Sequence, residues 1–327
     1  MLRMTRGRSS KSCQSPFSSH LTKILITVLS LLLLWGCTDE RPTLDISPHQ
    51  THSSAATNEH LKPVLRVAIG AMISPEITRT YYQNLLELIA SRVGRRAVFS
   101  QRRTYAEINE LVRNHQVDIA FVCSGPYVTG HEQFGMELLV APVVKGQQVY
   151  HSYFIVHHKN PITRFEELRG KRFAFTDPHS NTGYLVPTYL LSQQEETPAT
   201  FFSETFYTNS HDNSIRAVAE GLTEGAAVDS LIWEFMDSVN PELTSQTKII
   251  AKSPPYGIPP VVIHPGLNLE LKQGLKGAFL SIHRDAEARQ LLSQIQIERF
   301  EEVANSNYDS VRDMQQWLVK FNRGRCE

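Results

Sequence analysis

The sequence predicts an α/β protein of two lobes with a cleft between them. Three observations carry that prediction. From Val64 onward, short apolar runs alternate with amphipathic helical stretches. The run "VDIAFV", Val117 to Val122, is apolar almost throughout, as a parallel strand covered on both faces must be. A second series of strand and helix units begins after "HSYFIVHH", residues 151–158. A length of 327 residues agrees, since it corresponds to about two domains. Apolar residues make up 41%, enough to build a core in each. Lysine plus arginine and aspartate plus glutamate both number 33, so nothing points to a polybasic nucleic-acid surface.

The N-terminal segment stands apart from the fold. Arg3, Arg6, Arg8, Lys11 and Lys23 precede the apolar run "ILITVLSLLLL", Ile24 to Leu34. Eleven residues at about 1.5 Å each cannot cross a hydrocarbon core about 30 Å thick. A basic region before a short apolar one is the pattern of a secretory signal. It ends in "LWGC", Leu34 to Cys37, similar to a bacterial lipobox in which Cys37 is lipidated after cleavage. An uncleaved signal anchor, or cleavage elsewhere, is the alternative. The polar stretch that follows carries three prolines up to Pro63 and no periodicity, so it is expected to be a tether. The expected boundaries are a signal with lipobox over 1–37, a tether over 38–62, the first part of lobe 1 over 63–152 and lobe 2 over 153–250. Residues 251–327 return to lobe 1 and add C-terminal helices.

Within lobe 1, "VLRVAI" (64–69) is a strand and "TYYQNLLELIASRV" (80–93) a helix, with Tyr82, Leu85, Leu86, Ile89 and Val93 on one face. "AVF" is a short strand. "TYAEINELVRN" is a helix opened by Thr104 and Glu107, spaced as a capping box requires. With "VDIAFV" this is β-α-β-α-β order, joined by right-handed crossovers. In lobe 2, "KRFAFT" is a strand, "TGYLVPTYLLSQ" a helix and "SIRAVAEGL" a helix with Ile215, Val218, Ala219 and Leu222 on one face. "GAAVDS", "TKIIAKS" and "PPVVIH" are strands, the last two leading back. The tail from Leu267 is mostly helical.

The stretch "DPHSNTGYLVP", Asp177 to Pro187, holds the chemistry. Small and polar residues sit between an apolar strand and an apolar helix. Ser180 is the expected N-cap, with Asn181, Thr182 and Gly183 in the first turn. Such a terminus carries roughly half a positive charge and unpaired N–H donors, so it suits an oxyanion without any lysine. The plain reading is an ordinary N-cap. His211 opens the next helix, where the plain reading is a capping or surface histidine. Asp229 ends the strand "GAAVD", at the carboxyl end where open α/β sheets bind ligands, or is a turn aspartate. Ser180, His211 and Asp229 are also the residue types of a hydrolase triad. No G-x-S-x-G elbow accompanies them, and a serine capping its own helix is poorly placed to attack, so no enzyme is expected. His151, His157 and His158 lie on or after a strand and form no zinc pattern, so no metal or other cofactor is expected.

The segments "VDIAFVCSGPYV", "SYFIVHHKNPITRFEELRGKRFAFTDPHSNTGYLVP" and "HDNSIRAVAEGLTEGAAVDS" resemble the periplasmic binding proteins of phosphate, phosphite and phosphonate import systems. The resemblance runs from about Val64 to about Trp317. It implies a type II periplasmic-binding-protein fold, two α/β lobes joined by hinge strands and closing on a central ligand. It implies that Ser180, Asn181, Thr182, Gly183, His211 and Asp229 face the ligand from lobe 2, and Ser124, the Gly125 backbone and Tyr127 from lobe 1, with Tyr150 a further candidate. This chain has Asn181 where many members carry serine or threonine, and Cys123 where the usual pattern has none. Cys123 is either a buried structural thiol or a soft ligand, as in relatives that sense arsenite and signal to a histidine kinase. The implied function is capture of a small tetrahedral oxyanion by an exported, lipid-anchored monomer. That monomer delivers its ligand to an ABC permease or reports it to a membrane sensor kinase.

Overall fold

The computed structural model describes residues 62–324. The expected signal, Cys13, Cys37, nearly all of the tether and Cys326 lie outside the described residues. The chain opens with β1 (Val64–Ile69), α1 (Pro75–Arg92), β2 (Arg96–Gln101), α2 (Tyr105–Arg113), β3 (Ile119–Phe121), α3 (Ser124–Phe134) and β4 (Glu137–Val143). A short β5 (Val149–Tyr150) leads out of this lobe. Then come β6 (Ser152–His157), β7 (Arg172–Phe175), a π-helical turn (Asn181–Leu185) running into α4 (Val186–Ser192), α5 (Pro198–Phe201) and β8 (Glu204–Tyr207). They are followed by α6 (His211–Ala219), β9 (Gly225–Asp229), α7 (Ser230–Val239), α8 (Pro241–Thr244) and β10 (Thr247–Lys252). The return runs through β11 (Tyr256–Gly257), β12 (Val261–Ile263), α9 (Leu269–Ser281), α10 (Ala286–Gln294), β13 (Arg299–Glu301) and α11 (Asp309–Arg323).

Two sheets organise these elements. The first has strand order β13-β4-β12-β3-β1-β2, the second β10-β6-β9-β7-β8. The β-α-β-α-β series reappears as parallel pairing of β1 with β2 and β3. Both sheets are mixed, however, because β12, β13, β6 and β10 enter antiparallel. The lobes are joined by the paired strands β5 and β11, with Tyr150 opposite Tyr256. Two residues per strand make a narrow joint, which is what a hinge needs.

Each sheet buries its own apolar layer. Leu65, Val67, Ile119, Phe279 and Phe300 sit at the centre of the first lobe. Phe165, Phe173, Phe175, Phe201 and Phe202 cluster in the second, with Phe173 and Phe202 stacked 4.4 Å apart. Burying one such ring contributes about 1.5–3 kcal/mol. These layers make the lobes rigid, so the loops at the carboxyl ends of the strands are held in fixed places. The last helix, α11, touches both lobes. Gln315 donates to the Gly125 carbonyl and the Thr129 hydroxyl in the first, and the Trp317 indole N–H donates to Ser192 Oγ at 3.0 Å in the second.

Candidate functional site

Five helices begin at the seam between the lobes, at Tyr105, Ser124, Asn181, His211 and Ser230. Their N-caps are Thr104, Cys123, Ser180, Ser210 and Asp229. All except Cys123 accept a backbone N–H from their own first turn. Strand ends on both sheets therefore deliver positive helix ends to one place.

The seam is closed. The Asp177 carboxylate accepts the Tyr105 N–H across it at 3.1 Å, and the Met72 carbonyl accepts the His211 N–H at 3.0 Å. Asn181 Nδ2 donates to Tyr150 Oη on the hinge at 3.0 Å. Gly125 faces the carbonyl of His179, and a Cβ there would lie only 2.6 Å from that oxygen. Only glycine lets the two loops approach this closely.

Four fully buried side chains at the seam each have one polar atom with no hydrogen-bond partner among the described residues. They are Tyr105 Oη, Asn181 Oδ1, Thr182 Oγ1 and His211 Nε2. An unmet buried polar group costs about 1–3 kcal/mol, so four at one place mark a site built for a polar guest. His211 shows the chemistry most clearly. Its Nδ1 accepts the backbone N–H of Asp229 at 3.1 Å. That nitrogen therefore carries no proton, and Nε2 must be an N–H donor. Burial pushes the His211 pKa down to about 3, against the pull of Asp177, so the ring is neutral through the physiological range. Three of the four orphans are then donors.

Among the described residues no lysine or arginine acts on them. The charges that shift Tyr105, Tyr150, Cys123, His211 and Asp229 come from aspartate, glutamate and cysteine groups. Asp229 is the one carboxylate at the rim of the donor set whose proton is in play. Burial pushes it up to about 7, against the N–H groups of Leu231 and Ile232 that favour its charge. Among the described residues no group of three or more His, Cys, Asp or Glu is placed to hold a metal ion.

Of the residues singled out in the sequence, Ser180, Asn181, Thr182, Gly183, His211, Asp229, Tyr150, Cys123 and Ser124 come together here. Ser180 is the N-cap expected of it and accepts the Gly183 N–H at 3.0 Å. Ser124 Oγ is turned to the Gly257 carbonyl of β11 at 2.6 Å. Cys123 Sγ lies 3.6 Å from Tyr150 Oη, and burial pushes the thiol up to about 11, so it is protonated. The structure does not bring Tyr127 into the group. One turn into α3, it aims its hydroxyl at Asn305 Oδ1, 2.8 Å away, and packs its ring on Tyr308. Tyr105 takes the lobe-1 place instead. The sequence alone did not single it out, although the capping box at Thr104 and Glu107 put it at the first position of a helix.

Two α/β lobes, hinged on paired crossover strands and closed over converging helix starts, define a periplasmic binding protein. The family model described as "ABC transporter, phosphonate, periplasmic substrate-binding protein" matches residues 67–308. The chain belongs to that family, one of exported substrate-binding transport proteins rather than catalysts. It is 24% identical to the phosphonates-binding periplasmic protein of Escherichia coli (strain K12), over 74% of this chain and 73% of that one. It is 26% identical to the phosphate-import protein PhnD of Mycolicibacterium smegmatis, over 57% of this chain and 61% of that one. A binding-protein component of a Pseudomonas aeruginosa ABC phosphonate transporter shares the fold. Its TM-score is 0.76 at 24% identity, over 80% of this chain and 88% of that one. PhnD1 from Prochlorococcus marinus, solved in complex with methylphosphonate, superposes with TM-score 0.72 at 19% identity, over 79% of this chain and 98% of that one.

Proposed function

We propose that this chain captures a phosphorus oxyanion of the phosphonate, phosphite or phosphate class and passes it to the permease of an ABC importer. In this reading it works as a lipoprotein anchored through Cys37 and needs no cofactor. The observation that carries the reading is the set of four buried, partnerless polar atoms at converging helix starts. Thr182 Oγ1, Tyr105 Oη and His211 Nε2 donate to ligand oxygens, together with first-turn N–H groups of Asn181 and Thr182. Asn181 Oδ1 accepts a hydrogen bond from a protonated ligand oxygen. The relatives whose names include phosphonate, phosphite or phosphate import agree with this chemistry.

Asp229 supplies the selectivity. Once ionised it only accepts hydrogen bonds, so it repels a bare oxygen and favours a protonated one. Monoprotonated phosphate and phosphonate offer such a proton and sulfate does not. Because Asp229 titrates near 7, its rejection of sulfate should strengthen as pH rises through neutrality. Calorimetry of the purified chain against methylphosphonate, phosphite, phosphate and sulfate tests the reading. At pH 8 the best phosphorus oxyanion should bind at least about a hundredfold more tightly than sulfate, and Asp229→Asn should narrow the gap. Equal binding of sulfate by the wild type would remove Asp229 from the site. Failure of every phosphorus oxyanion would end the proposal.

The alternative, an arsenite sensor working through Cys123 with a histidine kinase, needs a thiolate. The protonated, enclosed thiol disfavours it.

A further inference from the structure

Helices of both lobes start at the seam, and an aspartate outside the donor set joins two of those starts. Asp212 lies in the first turn of α6, in lobe 2. Its Oδ1 accepts the Ser74 N–H at 2.9 Å, at the N-cap of α1 in lobe 1. Asp212 is 4% exposed, so water hardly reaches the contact. The start of α1 is not capped from within. Ser74 makes no side-chain cap, and Pro75 has no N–H to give. A cap serving α1 alone would come from its own turn, as Thr104 does for α2. Asp212 comes from 138 residues away and from the other lobe.

The second crossing has the same form. The α2 capping box takes up the Thr104 and Glu107 N–H groups and leaves that of Tyr105, which goes to Asp177. Lobe 2 thus sets a carboxylate on the starts of both α1 and α2, where the positive helix ends favour it. Neither contact involves a ligand. Neither survives rotation of the lobes about β5 and β11, because donor and acceptor belong to different lobes. We propose that Asp212 is a latch, a positioning residue that holds the lobes shut whether or not a ligand lies between them. It thereby sets how long a captured ligand stays, since release waits on the breaking of this contact.

The test is amide hydrogen exchange of the purified full-length chain without ligand, read at Tyr105, whose N–H is held by Asp177 and not by Asp212. Asp212→Asn keeps the shape and drops the charge. It should speed exchange at Tyr105 about fivefold, the order of one charge–helix contact, because the whole seam opens more often. Amides of β3 and β9, inside the sheets, should stay protected. Ser74→Pro deletes the donor from the opposite lobe, at φ −54° and ψ 150°, which the proline ring accepts. It should match Asp212→Asn, and the two together should do little more than either alone. Stopped-flow release of methylphosphonate should quicken about fivefold in both. Unchanged exchange at Tyr105, exchange speeded equally along the whole chain, losses that multiply in the double variant, or unchanged release of bound methylphosphonate would make Asp212 a local cap and overturn the latch. The exchange arm needs no ligand, so failure of the wild type to bind any phosphorus oxyanion would end the reading above and leave the latch to be decided by exchange.

Discussion

At the scale of single residues, two buried titratable groups pull stability in opposite directions. Asp229 is raised from 3.8 to about 7 in the folded chain. Between those values the folded chain keeps a proton the unfolded chain has released, so stability falls as pH rises through the window. His211 is lowered from 6.5 to about 3. Below 6.5 the unfolded chain takes up a proton the folded chain refuses, so stability falls as pH drops. From about pH 4 to 6.5 the two slopes oppose and largely cancel. Asp229→Asn removes one of them. Urea unfolding should show the variant losing stability with acid across this range more steeply than the wild type, by up to about 1.4 kcal/mol per pH unit. Parallel curves would show that Asp229 ionises normally in the fold.

Among the elements, α2 and α3 show what could be read from the sequence and what could not. The α2 capping box was legible, because Thr104 and Glu107 carry the signature in four residues and the structure has both of its hydrogen bonds. The turn at Ser180 was legible for the same reason. The α3 helix was not, since "SGPYVTGHEQF" contains two glycines and a proline and has no apolar stripe to declare its period. Tyr127 was expected in the cleft because the resemblance implied it, and its actual direction depends on where that helix starts. The hinge strands β5 and β11, two residues each, are too short for any alternation to appear. The four partnerless atoms were beyond the sequence altogether, because a missing partner is a fact about packing between distant segments. The cap itself can be tested. Thr104→Ala should cost about 1 kcal/mol of stability in thermal melts. It should also weaken methylphosphonate binding, since Tyr105 is the next residue. A stability loss with affinity intact would separate the cap from the ligand site.

For the whole molecule, the two sheets are rigid and the joint between them is narrow, so closure is left to contacts across the seam. α11 is one of these, gripping lobe 1 through Gln315 and lobe 2 through Trp317, whose ring meets Tyr189 edge-on at 6.2 Å. Opening the hinge must break one of the two grips. Trp317→Ala removes the second. Methylphosphonate release measured by stopped flow should become about tenfold faster, with association little changed, because contacts formed after encounter act mainly on dissociation. An unchanged release rate would show that α11 stays on one lobe throughout.

The donors around His211 contain no lysine or arginine, and this bears on where such a protein can work. Attraction between a charged ligand and charged side chains fades as dissolved ions crowd between them. Hydrogen bonds from neutral hydroxyls, a neutral imidazole and buried amides do not fade in that way once the lobes have shut water out. Brine and fresh water should look nearly alike to this site, so a cell in either could rely on the same affinity. An arginine-lined pocket would have to be retuned for each.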